Sequence, residues 1–381
     1  MNRVRVAVVA DLIEERWPSM DLVADMLFEQ LSAPRFEALL EVRLLRPSLT
    51  SRGRGRGRYV NRYWDYSRWL RKQAGAFDVF HVVDHSYAHL VHVLPALRSV
   101  VTCHDVDAFM PLVDATVIPT RLPKVLTRLV LSGLRKAAWV SCDTAATRDE
   151  VRKYDFVQSS RLGVVPVGVH PALTPEPVPQ SDAAVDRLLG PRDPDVVELL
   201  HVGSCIPRKR IDLLLRILAA VRDVEPRVRL LKAGGSLTAE QLDLARTLAV
   251  DGHIVQIPFL DTDTLAALYR RARVAVVTSE REGFGLPVVE ALASGTPVVA
   301  TDIPVLREVG GAAAAYAALG DIAGWREVLL ATLRGQGTES ARAETCRAGV
   351  AQAGRFTWAS FAESMAATYL RVASDEVDAV A

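Results

Sequence analysis

Short apolar runs alternate with amphipathic stretches along most of the chain, in two successive series. The first series of strand-like runs comprises VRVAVVA, FDVFHVV, SVVTCHD, AAWVSCD and LGVVPVG, and amphipathic stretches such as PSMDLVADMLFEQL lie between them. The second series comprises VELLHVGS, VRLLKAG, IVQIPFL, VAVVTS and TPVVATD. Strands that alternate with helices form parallel sheets, so the pattern predicts an α/β fold with two Rossmann-like, doubly wound domains facing across a cleft.

The domain boundaries follow from composition. A stretch rich in proline and acidic residues separates the two series, and we predict a linker over residues 172–196 within it. The first domain then covers residues 1–171 and the second 197–355. Residues 356–381 are predicted to form a helix that packs back on the first domain, followed by a tail.

Composition and charge narrow the class of protein. The formal net charge of +1 argues against a general nucleic-acid binder. Four widely spaced cysteines without a CxxC pair indicate reduced thiols in a cytoplasmic protein. The first apolar run ends at Asp11, which is too early for a signal peptide, and no transmembrane helix is expected. Any membrane contact would be peripheral, at the inner face of the cell membrane.

The stretch SEREGFGLPVVEALASGTPVV combines a glycine loop with a helix start and two carboxylates. Gly283 and Gly285 permit tight turns, and the free N–H groups of a following helix favour an anion. Glu282 precedes the glycines, and Glu290 is placed in the first helical turn, where it would also complement the helix dipole. The residues alone leave open why two carboxylates flank a loop that is shaped for an anion.

Several segments together resemble one family. EGFGLPVVE resembles the E-x7-E motif of retaining glycosyltransferases of family 4, also called glycosyl transferases group 1, which have the GT-B fold. HVGSCIPRKRIDLLL resembles the glycine turn and basic pair of that family, and FTWASFAESMAATYL resembles its closing segment. The resemblance is strong in the second half of the chain and weaker in the first. It implies an N-terminal acceptor-binding domain and a C-terminal domain that binds a nucleotide sugar.

The resemblance also implies roles for individual residues. Glu290 would bind the ribose hydroxyls of the nucleotide, and Glu282 would contact the donor hexose. Arg208 and Lys209 would neutralise the leaving diphosphate, although Ser204 stands where relatives carry an early arginine. The remaining donor-binding residues of the second domain are Gly203, Ser204, Gly283, Phe284, Gly285 and Leu286.

The first domain carries the remaining candidates. His104 follows a strand, VVTCH, and resembles the family histidine that faces the donor sugar; the expected role is a hydrogen bond to a donor hydroxyl. His85 and Ser86 lie in a histidine-rich strand-end loop and are acceptor-side candidates, and so is Ser19, which is also a candidate helix cap. The histidine cluster suggests a metal site, but the resemblance implies that neither a metal nor a cofactor is required. The first loop, DLIEERWPSMD, lacks the glycine pair of many relatives.

The arginine-rich segment 52–72 leaves three interpretations open. Residues 51–72 hold eight basic residues and five aromatics. Such a segment is typical of a mobile solvated loop, of attachment to an anionic membrane surface, or of RNA binding. We favour the solvated loop, and next a surface for a lipid-linked or polymeric acceptor.

The predicted reaction is hexose transfer with retention, from a nucleotide-diphosphate sugar to a hydroxyl of a glycan, a lipid-linked acceptor or a small molecule. Cell-surface polysaccharide or glycoconjugate synthesis is the expected setting, and no nucleic-acid partner is expected. The alternatives are another GT-B nucleotide-sugar enzyme of the epimerase type and a non-catalytic carbohydrate- or RNA-binding protein.

Overall fold

Parallel sheets form the centre of both halves of the protein, as the alternating pattern predicts. The computed structural model describes residues 3–49, 57–113 and 121–374. Within them the chain divides into two compact units, one of residues 1–168 with 358–381 and one of residues 169–357. Unit 1 and unit 2 each hold one six-stranded sheet in which all strand pairs are parallel. The predicted fold class is therefore confirmed.

The first sheet has the strand order β2-β1-β3-β4-β5-β6. Its strands are β1 (Val4–Val9), β2 (Leu40–Leu45), β3 (Val79–Val82), β4 (Ser99–Cys103), β5 (Trp139–Cys142) and β6 (Leu162–Val164). The helices of unit 1 are α1 (Pro18–Leu31), α2 (Gly57–Val60), α3 (Tyr66–Arg71), α4 (Met110–Val113), α5 (Arg121–Lys136), α6 (Ala145–Lys153) and α15 (Trp358–Ala373).

The second sheet has the order β12-β11-β10-β7-β8-β9. Its strands are β7 (Val197–Val202), β8 (Val228–Ala233), β9 (Ile254–Ile257), β10 (Val274–Val277), β11 (Val298–Thr301) and β12 (Ala314–Ala317). The helices of unit 2 are α7 (Pro179–Leu189), α8 (Ile211–Arg222), α9 (Ala239–Thr247), α10 (Thr262–Arg271), α11 (Leu286–Ala293), α12 (Pro304–Gly310), α13 (Ile322–Gly335) and α14 (Glu339–Ala353).

The strand orders locate the ligand-binding edge of each sheet. In unit 2 the chain runs outward from β7 to β9 and then returns to the other side of β7 with β10, so the order reverses between β7 and β10. In unit 1 the reversal falls between β1 and β3. Open parallel sheets bind ligands beyond the carboxyl ends of the strands at such a reversal, because the connections on either side diverge and leave a crevice. The loops after β7 and β10, and after β1 and β3, are thus the first places to search.

The predicted linker between the two domains contains a helix. Helix α7 lies inside the predicted linker 172–196, and Arg270 and Arg271 of α10 bind its Asp182 and Asp186 at 2.6 and 3.0 Å. This stretch therefore packs within unit 2.

The C-terminal helix α15 packs within unit 1. The hydroxyl of Tyr369 is 2.6 Å from Nδ1 of His81 in β3, and Nε2 of His81 is 2.7 Å from the hydroxyl of Thr102 in β4. Burial lowers the pKa of His81 to about 3, so its ring is neutral and the contact carries no buried charge. Arg371 adds a cation–π contact, 3.8 Å above the ring of Trp139.

Candidate active site

In unit 2 a buried carboxylate and two cations meet at the reversal between β7 and β10. The Glu282 side chain is 6% exposed and accepts from Lys209 Nζ at 2.5 Å and from Arg208 Nη1 at 3.0 Å. The Ser279 hydroxyl donates to the same carboxylate at 2.7 Å. Burial alone would raise the pKa of Glu282, but the charges of Lys209 and Arg208 hold it below its ordinary value. The carboxyl is consequently ionised, and the cluster carries one net positive charge.

Backbone contacts hold the two loops of this cluster in register. The Glu280 N–H donates to the Arg208 carbonyl at 2.9 Å, and Arg208 Nη1 returns a bond to the Arg281 carbonyl at 2.9 Å. The Thr278 hydroxyl donates to the Lys209 carbonyl at 2.9 Å. Arg210 instead pairs with Asp212 at 2.8 Å and with Glu280 at 3.2 Å. The loop after β10 thus fixes the basic turn after β7.

A buried lysine that sequence reasoning missed organises the glycine turn. Lys232 at the end of β8 is fully buried, and its ammonium donates to the Gly203 and Ala233 carbonyls at 2.6 and 3.1 Å. Burial lowers the pKa of Lys232. Gly234 has φ +88°, and a Cβ there would lie 3.0 Å from the Gly203 carbonyl oxygen. The signal in the sequence was a lone charge inside the apolar strand VRLLKA.

The glycine loop leads directly into α11. Gly285 precedes the helix with φ +90°, a conformation in which glycine has no steric cost, and Leu286 is the first helical residue. Phe284 is buried, with its ring 5.3 Å from that of Phe356, so only its backbone is available to a ligand. Gly283 is buried in the same loop, and Ser204 is half-buried directly after Gly203.

Glu290 lies one turn further into α11 than predicted. The helix begins at Leu286, so Glu290 is its fifth residue and the prediction of a first-turn position is wrong. Pro287 is the second residue of the helix, where its missing N–H group leaves no hydrogen bond unmade. The Tyr269 hydroxyl donates to Glu290 at 2.8 Å, and burial raises the pKa of the carboxyl. A dipole complement at the helix start therefore does not explain Glu290, whose carboxyl instead accepts a buried hydrogen bond from Tyr269.

His201 is a second residue of this region that the sequence did not single out. Its Nδ1 is 3.0 Å from the Val276 carbonyl, so it carries the proton and donates. Burial lowers the pKa of His201 to about 3, and its buried Nε2 finds no hydrogen-bond partner among the residues that the structure describes. The neutral Nε2 of His201 is therefore a hydrogen-bond acceptor next to the turn that carries Gly203.

In unit 1, His104 is held by two protein acceptors. Its Nδ1 is 2.6 Å from a carboxylate oxygen of Asp143, and its Nε2 is 2.7 Å from the Val83 carbonyl. Burial opposes protonation, but the Asp143 charge and hydrogen bond raise the pKa of His104 to about 10. The ring is an imidazolium at neutral pH, with both N–H groups already used. A bond from His104 to a donor hydroxyl, as predicted, requires release of the Val83 carbonyl.

The reversal between β1 and β3 holds a second polar cluster. His85 lies between two carboxylates, with Nδ1 3.5 Å from Asp84 and Nε2 3.6 Å from Asp105. Ser86 donates its N–H to Asp84 at 2.8 Å, and its hydroxyl bonds the same carboxylate. The acceptor-side candidates His85 and Ser86, which are neighbours in sequence, thus both contact the Asp84 carboxylate.

Asp11 is the member of this cluster that sequence reasoning missed. It lies two residues after the end of β1 and is 3% exposed, close to the Asp84 carboxylate. Burial, followed by the nearby Asp84 charge, raises the pKa of Asp11 well above its usual value. A polar residue immediately after a buried apolar strand was the available signal.

Ser19 is an exposed residue of the first turn of α1 and makes no cap, so its prediction as a capping residue is wrong. Pro18 takes the first helical position and Trp17 the N-cap, because the fixed φ of proline suits the first turn.

The arginine-rich segment is packed over its later part. Residues 50–56 lie outside the described residues, so the structure does not describe the start of this segment. Residues 57–71 are helical, and Arg62 pairs with Glu15 at 2.8 Å while its guanidinium stacks 3.9 Å from the Tyr87 ring. Trp64, by contrast, is 65% exposed. The prediction of a mobile solvated loop is therefore wrong for 57–71, because the segment is helical and buries Tyr66 and Leu70 in the core of unit 1.

Two known protein families match the sequence of this chain. The family described as "Glycosyltransferase Family 4" matches residues 24–173, and the one described as "Glycosyl transferases group 1" matches residues 190–316. This chain belongs to glycosyltransferase family 4. A D-inositol 3-phosphate glycosyltransferase from Segniliparus rotundus is 30% identical over 298 residues, 74% of this chain and 60% of that protein. Another, from Geodermatophilus obscurus, is 35% identical over 247 residues, 61% of this chain and 52% of that protein. The chain thus matches about half to three fifths of the length of these relatives.

Solved structures with the same fold cover nearly the whole family 4 chain. Sucrose-phosphate synthase from Thermosynechococcus elongatus superposes with a TM-score of 0.77 at 18% identity, covering 98% of this chain and 100% of that one. HepE of Anabaena, solved with UDP and glucose, gives a TM-score of 0.73 at 16% identity and covers 96% and 99%. These likenesses confirm the GT-B fold. Among the residues described, no helix is both long and apolar enough to cross a bilayer.

Proposed function

We propose that this family 4 protein is a retaining glycosyltransferase. It moves a hexose from a nucleotide-diphosphate sugar to a hydroxyl of a glycan, a lipid-linked acceptor or a small molecule. The observation that carries the proposal is the convergence of Arg208 and Lys209 on Glu282 at the strand-order reversal of unit 2. Two cations and one carboxylate there match a ligand with an anionic diphosphate and a neutral sugar.

The basic pair supplies the charge stabilisation that transfer needs. Breaking the bond between the hexose C1 and the phosphate oxygen leaves negative charge on the diphosphate. Lys209 is held in place by Glu282 and by the buried packing around it, with only 11% of its side chain exposed. Cations fixed in advance stabilise developing charge without the cost of reorganising solvent. We infer that Arg208 and Lys209 fill this role without a divalent metal and without a cofactor.

The two glutamates recognise the neutral parts of the donor. Glu290 would accept from the ribose hydroxyls, and Tyr269 holds its carboxyl in place at 2.8 Å. Glu282 would accept from a hexose hydroxyl, because its contacts with Lys209, Arg208 and Ser279 leave carboxylate lone pairs available. A carboxylate in each position distinguishes sugar hydroxyls from the phosphate oxygens beside them.

The chemical step is a front-face substitution. The bond between C1 and the phosphate oxygen breaks, a bond from C1 to the acceptor oxygen forms on the same face, and the departing phosphate oxygen takes the proton of the acceptor hydroxyl. The configuration at C1 is retained, and no enzyme nucleophile is needed. His104, as a fixed imidazolium, would add positive charge, or would donate to a hexose hydroxyl once the Val83 carbonyl is released.

The comparisons suggest which substrates to try first. HepE is solved with UDP-glucose, and the curated relatives act, by name, on D-inositol 3-phosphate. UDP-sugars and an inositol phosphate are therefore the first donors and acceptor, ahead of GDP-, ADP- and dTDP-sugars and of lipid-linked glycans. The cell setting that we propose is glycoconjugate or polysaccharide synthesis at the cytoplasmic face of the membrane.

The test is release of nucleoside diphosphate with and without acceptor, combined with the anomeric configuration of the product by proton NMR. We expect release that depends on acceptor and an α-linked product from an α-linked donor. Interconversion of donor sugars without acceptor would instead identify an epimerase. Release with inversion at C1 would contradict the front-face step.

A further inference from the structure

A second polar pocket lies at the opposite edge of the sheet of unit 2. It has a volume of about 320 Å³, and its lining includes four arginines, namely Arg192, Arg270, Arg273 and Arg342. Arg273 directly precedes β10, and Pro297, also in the lining, directly precedes β11. The donor loop follows the far end of β10. In a parallel sheet the two ends of a strand lie at opposite edges, so this pocket is separate from the proposed donor site.

Three of these arginines lack a carboxylate partner. Within residues 3–49, 57–113 and 121–374, no ion pair is formed by Arg192, Arg273 or Arg342, whereas Arg270 pairs with Asp182 at 2.6 Å. Glu339 also lines the pocket, at the start of α14, but pairs with none of them. The pocket therefore concentrates positive charge that the described part of the protein does not neutralise.

The arginines also converge in space. Nη2 of Arg273 and Nε of Arg342 donate to the same carbonyl, that of Gln336, at 2.9 and 2.7 Å. Partial burial, followed by the charges of Arg342 and Arg192, lowers the pKa of Arg273. Like charges this close repel each other, and an anion placed between them would convert that repulsion into attraction.

We propose that this pocket binds the phosphate group of a small phosphorylated molecule. Guanidinium groups match the oxygens of a phosphate with paired, charge-assisted hydrogen bonds, and several arginines around one pocket suit a group that carries two negative charges. The volume is at the lower end of the range for small-molecule sites, about 300–1,000 Å³, so a phosphorylated metabolite fits better than a bare anion.

The proposal does not depend on the transferase activity, and binding to the full chain tests it directly. Isothermal titration calorimetry at low salt would use inorganic phosphate and glucose 6-phosphate as probes. Co-sedimentation with phosphatidylcholine vesicles, with and without phosphatidic acid, would test a lipid headgroup as the source of the phosphate. The key variant is Arg192→Gln/Arg342→Gln, because both side chains are exposed and their loss should leave the fold intact.

The matched control is Arg216→Gln, which removes an exposed arginine of α8 that does not line the pocket. A second control is Lys209→Met, which disables the other phosphate-binding candidate of unit 2. We expect the double variant to weaken binding at least tenfold, because it removes two guanidinium groups that would form charge-assisted hydrogen bonds with the phosphate, and we expect both controls to bind like the wild type. Binding should also weaken as salt is added.

Each outcome decides the proposal. Binding of a soluble probe, or of phosphatidic acid vesicles, that the double variant loses and both controls keep would support the pocket and name the source of the phosphate. The proposal is overturned if the double variant binds like the wild type, if Lys209→Met removes the binding, or if the wild type binds no probe.

Discussion

Replacing Lys209 with methionine tests the charge stabilisation that the proposed reaction needs. The substitution keeps most of the side-chain volume but removes the ammonium 2.5 Å from Glu282. At an effective dielectric constant of about 20, two unit charges about 3 Å apart interact by about 5.5 kcal/mol. If about half a charge develops on the leaving phosphate, the lost stabilisation is about 2.7 kcal/mol, which lowers kcat about 100-fold.

The assay is acceptor-dependent release of nucleoside diphosphate at saturating donor. Glu282 keeps Arg208 at 3.0 Å and Ser279 at 2.7 Å, so the variant should fold, and circular dichroism melting verifies this. The matched control is Arg210→Gln, which removes a neighbouring charge that binds Asp212 and Glu280 instead of Glu282. We expect the control to stay within about threefold of the wild-type kcat, as for a surface charge. Wild-type turnover by Lys209→Met, or an equal loss in both variants, would refute the reasoning.

Four other predictions follow from the described geometry. The stability that protonated His104 contributes should be lost as pH rises from 6.5 to 10, because its pKa of about 10 in the folded state exceeds its unfolded value. Hydrogen exchange in β4 should show this loss of stability with rising pH in the wild type and not in His104→Gln. Gly234→Ala should destabilise unit 2 by about 1–3 kcal/mol, because φ is +88° and the new Cβ would lie too close to the backbone of Gly203. The control Gly252→Ala, whose Cβ would have nothing within 4 Å, should leave the stability measured by chemical denaturation unchanged. Tyr269→Phe should weaken nucleotide binding about tenfold by calorimetry, because Glu290 loses its buried donor. Turnover should persist in excess EDTA, and abolition restored by one divalent metal would contradict the metal-free proposal.

The sequence predicted five of the six strands of each sheet and missed one edge strand in each. All ten of the predicted strand-like runs contain an observed strand, because buried parallel strands are continuous apolar runs. The two missed strands, β2 and β12, each pair on one side only. Their sequences, LEVRLL and AAYA, are alternating or small and have no such run. The other two edge strands, β6 and β9, lie in apolar runs and were predicted, so the missing apolar run accounts for the two misses.

The sequence predicted those residues of the candidate site that belong to local motifs. Arg208, Lys209 and Glu282 are far apart in sequence but lie on motifs next to strand ends, and the structure brings them into contact. Lys232 and Asp11 were missed because their importance depends on burial and on neighbours from other strands. Glu290 was misplaced by one turn because the glycine loop and Pro287 left the helix start ambiguous.

The most direct test of the central proposal is donor binding, measured by calorimetry with UDP-, GDP-, ADP- and dTDP-sugars. The wild type, Lys209→Met and Glu290→Ala would be compared under the same conditions. We predict that one nucleotide class binds the wild type, that Glu290→Ala loses this binding, and that Lys209→Met weakens it. If no nucleotide sugar binds in the millimolar range or tighter, or if Glu290→Ala binds as the wild type does, the proposed donor site is contradicted.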